Sequence, residues 1–164
     1  MMGVVDEAAR LAEPWASLYN DSPPLRTAVL FLHLAGLLVG GGFALATDRA
    51  TLRAARAGPQ EQARQLSEVH TVHGAVLIGL ALTLASGVLM LAADLETFAG
   101  SVVFWVKMGL VLLLFANGYA LTRAETALRR DPNGGWDRLR TVSIASSVLW
   151  LSLVLAGTWL SNIS

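Results

Sequence analysis

Apolar residues gather along this chain in four long blocks, at 27–47, 74–93, 99–121 and 141–160, and the charged residues fall almost entirely outside them. Each block has about the 20 residues that an α-helix needs to cross ~30 Å of hydrocarbon at ~1.5 Å per residue. The block at 99–121 carries one formal charge, Lys107, and the others carry none. Blocks that are apolar all round leave no face for water, so lipid is the expected solvent. The pattern predicts an all-α integral membrane four-helix bundle with helices near 27–47, 70–93, 99–121 and 141–160. Short connections make sequential helices antiparallel neighbours, giving up-down topology. Residues 25–164 form this domain, and 1–24 form a separate N-terminal segment. The first block is expected to be retained, because it follows no basic n-region and is too long for a signal peptide.

Within the N-terminal segment, Val4, Ala8, Leu11, Trp15 and Leu18 recur at helical spacing, away from Asp6, Glu7, Arg10 and Glu13. An amphipathic helix lying in the membrane interface is expected there, with Trp15 and Tyr19 at headgroup level. Pro14 is expected to split it into two short pieces. Ser22-Pro23-Pro24 reads as a rigid elbow. The first long helix should continue to about Arg56 and stop at Gly58-Pro59. Asp131-Pro132-Asn133-Gly134-Gly135 reads as a turn, with Trp136 as an interface anchor.

Arginine placement gives the sidedness. Arg49, Arg53, Arg56 and Arg64 lie between the first and second blocks, and Arg123, Arg129, Arg130, Arg138 and Arg140 between the third and fourth. The connection around Asp94 and Glu96 has no Lys or Arg, and the residues before the first block have only Arg10 and Arg26. The positive-inside rule then puts both arginine-rich connections in the cytoplasm and both termini outside. The expected location is a bacterial cytoplasmic (inner) membrane. Over the 164 residues, 54% are hydrophobic and 15% charged, below the ~25% charge of soluble domains. There is no cysteine, which excludes disulfides, thiolate metal sites, iron–sulfur clusters and covalently attached c-type haem. Net charge is zero, so nothing points to nucleic acid.

Small residues predict where the helices meet. Gly36, Gly40 and Ala44 are spaced by four, and so are Ala75, Gly79, Thr83 and Gly87, with Ser86 beside the last. Ser143, Ser147, Gly157 and Ser161 share a face with Trp150. Such stripes let helix backbones approach closely in lipid.

Ionisable residues inside a membrane are functional candidates by default. His33 and Lys107 fall at similar depth in the outer half. His33 lies beside Gly36 and Gly40, which leave room for a flat ring. His70 and His73 fall at the inner end of the second helix, about 20 Å from the level of His33 at ~1.5 Å per residue. A haem with two axial histidines needs both at one level, which excludes His33 with His73 in one chain. Two ligand readings remain: a b-type haem on His33, or the head of a quinone between His33 and Lys107. The plainer alternatives are a snorkelling Lys107 paired with Asp94 or Glu96, a His33 that only bonds a neighbouring helix, and headgroup-level His70 and His73 rather than metal ligands.

Phe31-Leu32-His33-Leu34-Ala35-Gly36, ending in Asp48-Arg49, and Phe104-Trp105-Val106-Lys107-Met108, running on to Asn117-Gly118, resemble the small four-helix bacterial membrane proteins that include CopD-like proteins and HemJ-type protoporphyrinogen oxidases. The resemblance implies a b-type haem at His33, accompanied by Lys107 and Trp105. It does not carry the oxidase activity, because Trp105 stands two residues before the lysine where the pattern has three, and the aromatic segment with a second histidine is missing. A nearer likeness is to uncharacterised four-helix proteins with a Phe-x-x-Lys third helix.

The expected function is a component of membrane electron-transfer machinery binding haem b or quinone through His33. The alternatives are a non-catalytic accessory subunit that packs with other membrane subunits or with copies of itself, and a small CopD-like transporter.

Overall fold

The structure is a computed structural model that describes residues 2–131 and 134–163. Helix accounts for 94% of it, with no strand among the described residues. In chain order the helices are α1 (Met2–Asp21), α2 (Pro23–Ala54), α3 (Pro59–Ala93), α4 (Leu95–Gly100), α5 (Val102–Arg130) and α6 (Trp136–Ile163). Of these, α2, α3, α5 and α6 are long and apolar enough to cross a membrane.

Local sequence sets the boundaries. Ser22 is extended (φ −115°, ψ 93°), and Pro23 and Pro24 open α2, where a missing N–H costs nothing. Gly58 and Pro59 open α3 in the same way. Asp94 caps α4 by accepting from the Thr97 N–H at 3.3 Å, and Ser101 caps α5 by accepting from the Phe104 N–H at 3.4 Å. Before α6, Gly135 takes φ +89°, a conformation open to glycine and costly for other residues. Pro132 and Asn133 of the expected turn lie outside the described residues.

Pro14 does not divide α1, which runs unbroken from Met2 to Asp21. A proline removes one backbone hydrogen bond, and here tertiary contact holds the helix beside it. Trp15 Nε1 donates to the Leu89 carbonyl at 2.8 Å, and α1 packs on α3, α4 and the start of α2.

The four long helices also overrun their apolar blocks at the arginine-rich end. There α3 begins at Pro59 and α5 continues to Arg130. The overrun is a packed layer, in which Leu66, Ala124, Leu128 and Leu139 are buried, with Leu121, Trp136 and Val142 against them. Leu128 is fully buried. Arg129 ties the layer together: its Nη2 pairs with Glu125 Oε1 at 2.9 Å and also donates to the Leu66 carbonyl on α3. The packed helices therefore extend past the apolar blocks at this end of the molecule.

Between the apolar blocks, packing is of a different kind. The most extensive contact is α2 with α3, where Gly36 and Gly40 meet Gly79 and Thr83 backbone to backbone. A methyl group on Gly36 would lie 2.7 Å from the Thr83 nitrogen, and one on Gly79 would fall inside the backbone of Gly40. On the other side of α2, Trp150 of α6 covers Gly40 and Gly41 and joins Ala44, Leu114 and Leu153 in a buried cluster. α5 packs on α6, while α3 and α5 stand farther apart and are bridged by side chains.

Gly79→Ala is expected to lower stability in detergent by about 1–3 kcal/mol, because the helices must separate. Gly42→Ala, with nothing within 4 Å, is expected to be neutral or stabilising by up to about 1 kcal/mol. Denaturant titration of the two variants beside the parent checks this; equal losses would contradict the close contact.

Candidate functional site

Two polar layers interrupt the apolar interior, one toward the α1 end and one toward the arginine-rich end. At the α1 end, the contact between Gly40 and Gly79 fixes the register of α2 on α3 and brings His33 to Ser86. His33 Nδ1 lies 3.1 Å from Ser86 Oγ. The Ser86 hydroxyl has one proton, and its Oγ lies 2.6 Å from the Leu82 carbonyl, the shortest of its contacts. The serine therefore donates there and accepts from His33, which assigns the proton of a neutral imidazole to Nδ1 and leaves a lone pair on Nε2. Gly87 makes room for the ring, since a methyl group there would stand 3.4 Å from Cε1.

Lys107 of α5 lies against Gly157 of α6, where a methyl group would be 3.5 Å from Nζ. Gly157 stands seven residues past Trp150 on α6, and His33 seven residues before Gly40, which Trp150 covers, so Lys107 falls at the height of His33. Among the described residues no carboxylate pairs with Lys107, Asp94 and Glu96 included. The two basic groups thus share one level, each with a nitrogen not committed to a protein partner in the hydrogen bonds described.

The other sequence candidates separate from this pair. Gly36 and Gly40 do not border an open slot, because α3 fills the space beside them. Trp105 is 56% exposed and turns away from the bundle, its Nε1 donating to the Ala99 carbonyl at 3.0 Å. His73 lies on α3 about three and a half turns from Ser86 in the direction of the arginine-rich end, roughly 20 Å by the ~1.5 Å helix rise. The side chain of His70 lies outside the described residues. No group of three or more His, Cys, Asp or Glu able to hold a metal occurs among the described residues.

The second layer centres on Asp48, which the sequence reading treated only as the end of a motif. Asp48 is 3% exposed. Ser147 Oγ of α6 donates to its Oδ2 at 3.3 Å, and Ser143 and Ser146 stand on the same face of α6. Nearby, Gln65 Nε2 donates to Thr51 Oγ1 at 3.1 Å, and Asn117 Nδ2 to the Val142 carbonyl at 3.0 Å. The signal in the sequence was spacing: Asp48 follows Gly41 and Ala44 and precedes Thr51 at helical intervals, on the face that α6 covers.

No family model, characterised protein or solved structure matches this chain.

Nitrogen-15 NMR of the histidines is expected to show His33 as the Nδ1–H tautomer, shifting toward the Nε2–H form in Ser86→Ala. A double-mutant cycle of His33→Ala with Ser86→Ala should give a coupling of about 0.5–1.5 kcal/mol. An Nε2–H imidazole in the parent protein would contradict the assignment.

Proposed function

We propose that the chain is a multi-pass membrane component of electron-transfer machinery that binds the carbonyl head of a lipid-soluble quinone between His33 and Lys107. The observation that carries this reading is the placement, inside an apolar bundle, of a lysine with no carboxylate partner among the described residues on the same level as an imidazole held through Nδ1 at Ser86. A quinone carbonyl accepts from the Lys107 ammonium, and a quinol hydroxyl donates to His33 Nε2, so both redox forms find a partner. The wider spacing of α3 and α5 leaves a side from which a flat head on an isoprenoid tail can approach out of the bilayer. A b-type haem does not fit beside Gly36 and Gly40, since helix backbone occupies that space.

The same reading takes the four long helices as an up-down bundle with arginine-rich connections in the cytoplasm and both termini outside a bacterial inner membrane. α1 then lies at the outer interface. Leu11 and Leu18, 76% and 57% exposed, are its lipid contacts. Because the chain has no cysteine, single cysteines report sidedness directly. Ser17→Cys is expected to react with an impermeant maleimide in intact cells, and Gly58→Cys only after the membrane is opened; the opposite pattern would invert the topology.

A second reading is favoured by one feature. The spans in α3 and α5 are each only 11% buried within the chain, which leaves broad faces for partner helices. An accessory subunit needs such faces and no ligand.

Quinone extracted from protein purified in mild detergent separates the two. About one molecule per chain is expected, falling tenfold or more in His33→Ala and in Lys107→Ala, in line with ~1.5–3 kcal/mol for a hydrogen bond to a charged group. Trp105→Phe and His73→Ala should retain it. A Soret band that vanishes in His33→Ala would replace the quinone with haem. Protein free of both would leave the accessory reading.

A further inference from the structure

The Asp48 layer plays no part in the His33 site, and its chemistry is unfinished. Asp48 is buried, yet the ion pairs among the described residues are Arg10–Glu7, Arg64–Glu68 and Arg129–Glu125, and none involves it. A carboxylate withdrawn from water is costly unless something positive neutralises it. Ser143, Ser146 and Ser147 stand at i, i+3 and i+4 on one face of α6, and Ser147 of that face reaches the Asp48 carboxylate. Ser143 and Ser146 are 1% and 7% exposed. Ser143 Oγ is buried and makes no hydrogen bond, although most buried hydroxyls do.

Spacing points the same way. The Ser147 Oγ to Asp48 Oδ2 distance of 3.3 Å is long for a hydroxyl donating to a carboxylate, where about 2.5–2.7 Å is usual. It is close to the separation of two adjacent oxygens that share a cation with metal–oxygen bonds of about 2.4 Å. Carboxylate and hydroxyl oxygens are hard donors, which select alkali and alkaline-earth ions over transition metals. One carboxylate supplies a single negative charge. A divalent ion would leave a net positive charge buried, whereas a monovalent ion leaves none.

We propose that Asp48, Ser143, Ser146 and Ser147 form a binding site for one sodium ion, clamping α2 to α6. The carboxylate supplies the charge, and the serine hydroxyls turn lone pairs inward to complete the oxygen shell, which satisfies Ser143. The ion joins two helices that otherwise meet through Trp150 on Gly40 and Gly41. Sodium therefore stabilises the bundle without entering the His33 site.

Thermal unfolding of the whole chain in detergent, in sodium chloride against choline chloride at equal ionic strength, tests this. At about ten times the dissociation constant, sodium is expected to raise Tm by roughly 3–6 °C. Asp48→Asn, which keeps the shape and removes the charge, should abolish the sodium shift while being at least as stable as the parent in choline. Ser143→Ala should require about tenfold more sodium for the same shift. Radioactive sodium retained by the purified protein should reach one ion per chain, which gives a readout even if Asp48→Asn fails to fold. Equal Tm in the two salts together with no retained sodium would overturn the site and leave a proton as the neutralising charge. A sodium shift that persists in Asp48→Asn would equally overturn it.

Discussion

The contact of α2 with α3 at Gly40 and Gly79 sets the rest of the structure. In lipid, apolar side chains gain nothing by leaving their solvent, so two helices hold together through close backbone approach and a few polar bonds. Removing the side chains at Gly36, Gly40 and Gly79 permits that approach, and the approach permits one register. That register delivers His33 to Ser86, about two turns to one side of the contact, and Thr51 to Gln65, about three to four turns to the other. The opposite edge of the same glycine stripe receives Trp150, which seats α6 and carries Ser143, Ser146 and Ser147 to Asp48. Both polar layers are thus consequences of where glycine stands in α2.

The arginine-rich end obeys another rule. There the helices leave the apolar blocks, and the hydrophobic effect again rewards burial of leucine. Leu128 and Leu139, at most 1% exposed, are accordingly among the most deeply buried side chains in the molecule, while exposed leucines are common along the spans. Arg129 belongs to this packed layer: its guanidinium holds Glu125 of its own helix and the Leu66 carbonyl of α3.

Hydropathy made the four spans readable from sequence, and the glycine stripes made their pairing readable, because both signals are local and periodic. Depth along the helices placed His33 near Lys107 and away from His73. Other features were harder to read. The stretches 59–69 and 122–130 look polar in composition, yet Leu66, Ala124 and Leu128 form a face that is recognisable only once their partner Leu139 is known. Pro14 reads locally as a break, and the Trp15 tether that overrides it joins residues 74 positions apart. Asp48 lies next to Arg49 in sequence and suggests a solvated helix end. Its burial depends on α6, which begins nearly ninety residues later. The glycines beside His33 look like space for a ring when α2 is considered alone, and α3 takes up that space.

The separation of the two polar layers also bears on transport. A conducted solute needs polar groups at successive depths, or water between them. From His33 to Asp48 is fifteen residues of one helix, roughly 22 Å at ~1.5 Å per residue. Trp150, Ala44, Leu114 and Leu153 fill that interval, and the Trp150 indole lies against Gly40 and Gly41 in the middle of it. Sodium bound at Asp48 therefore has no polar step toward His33, and a group held at His33 has none toward Asp48. The arrangement is a bundle with one polar layer toward each end and an apolar interval between them. Opening a path would require Trp150 to leave the glycines of α2, which would release α6 from the helix that orders both layers.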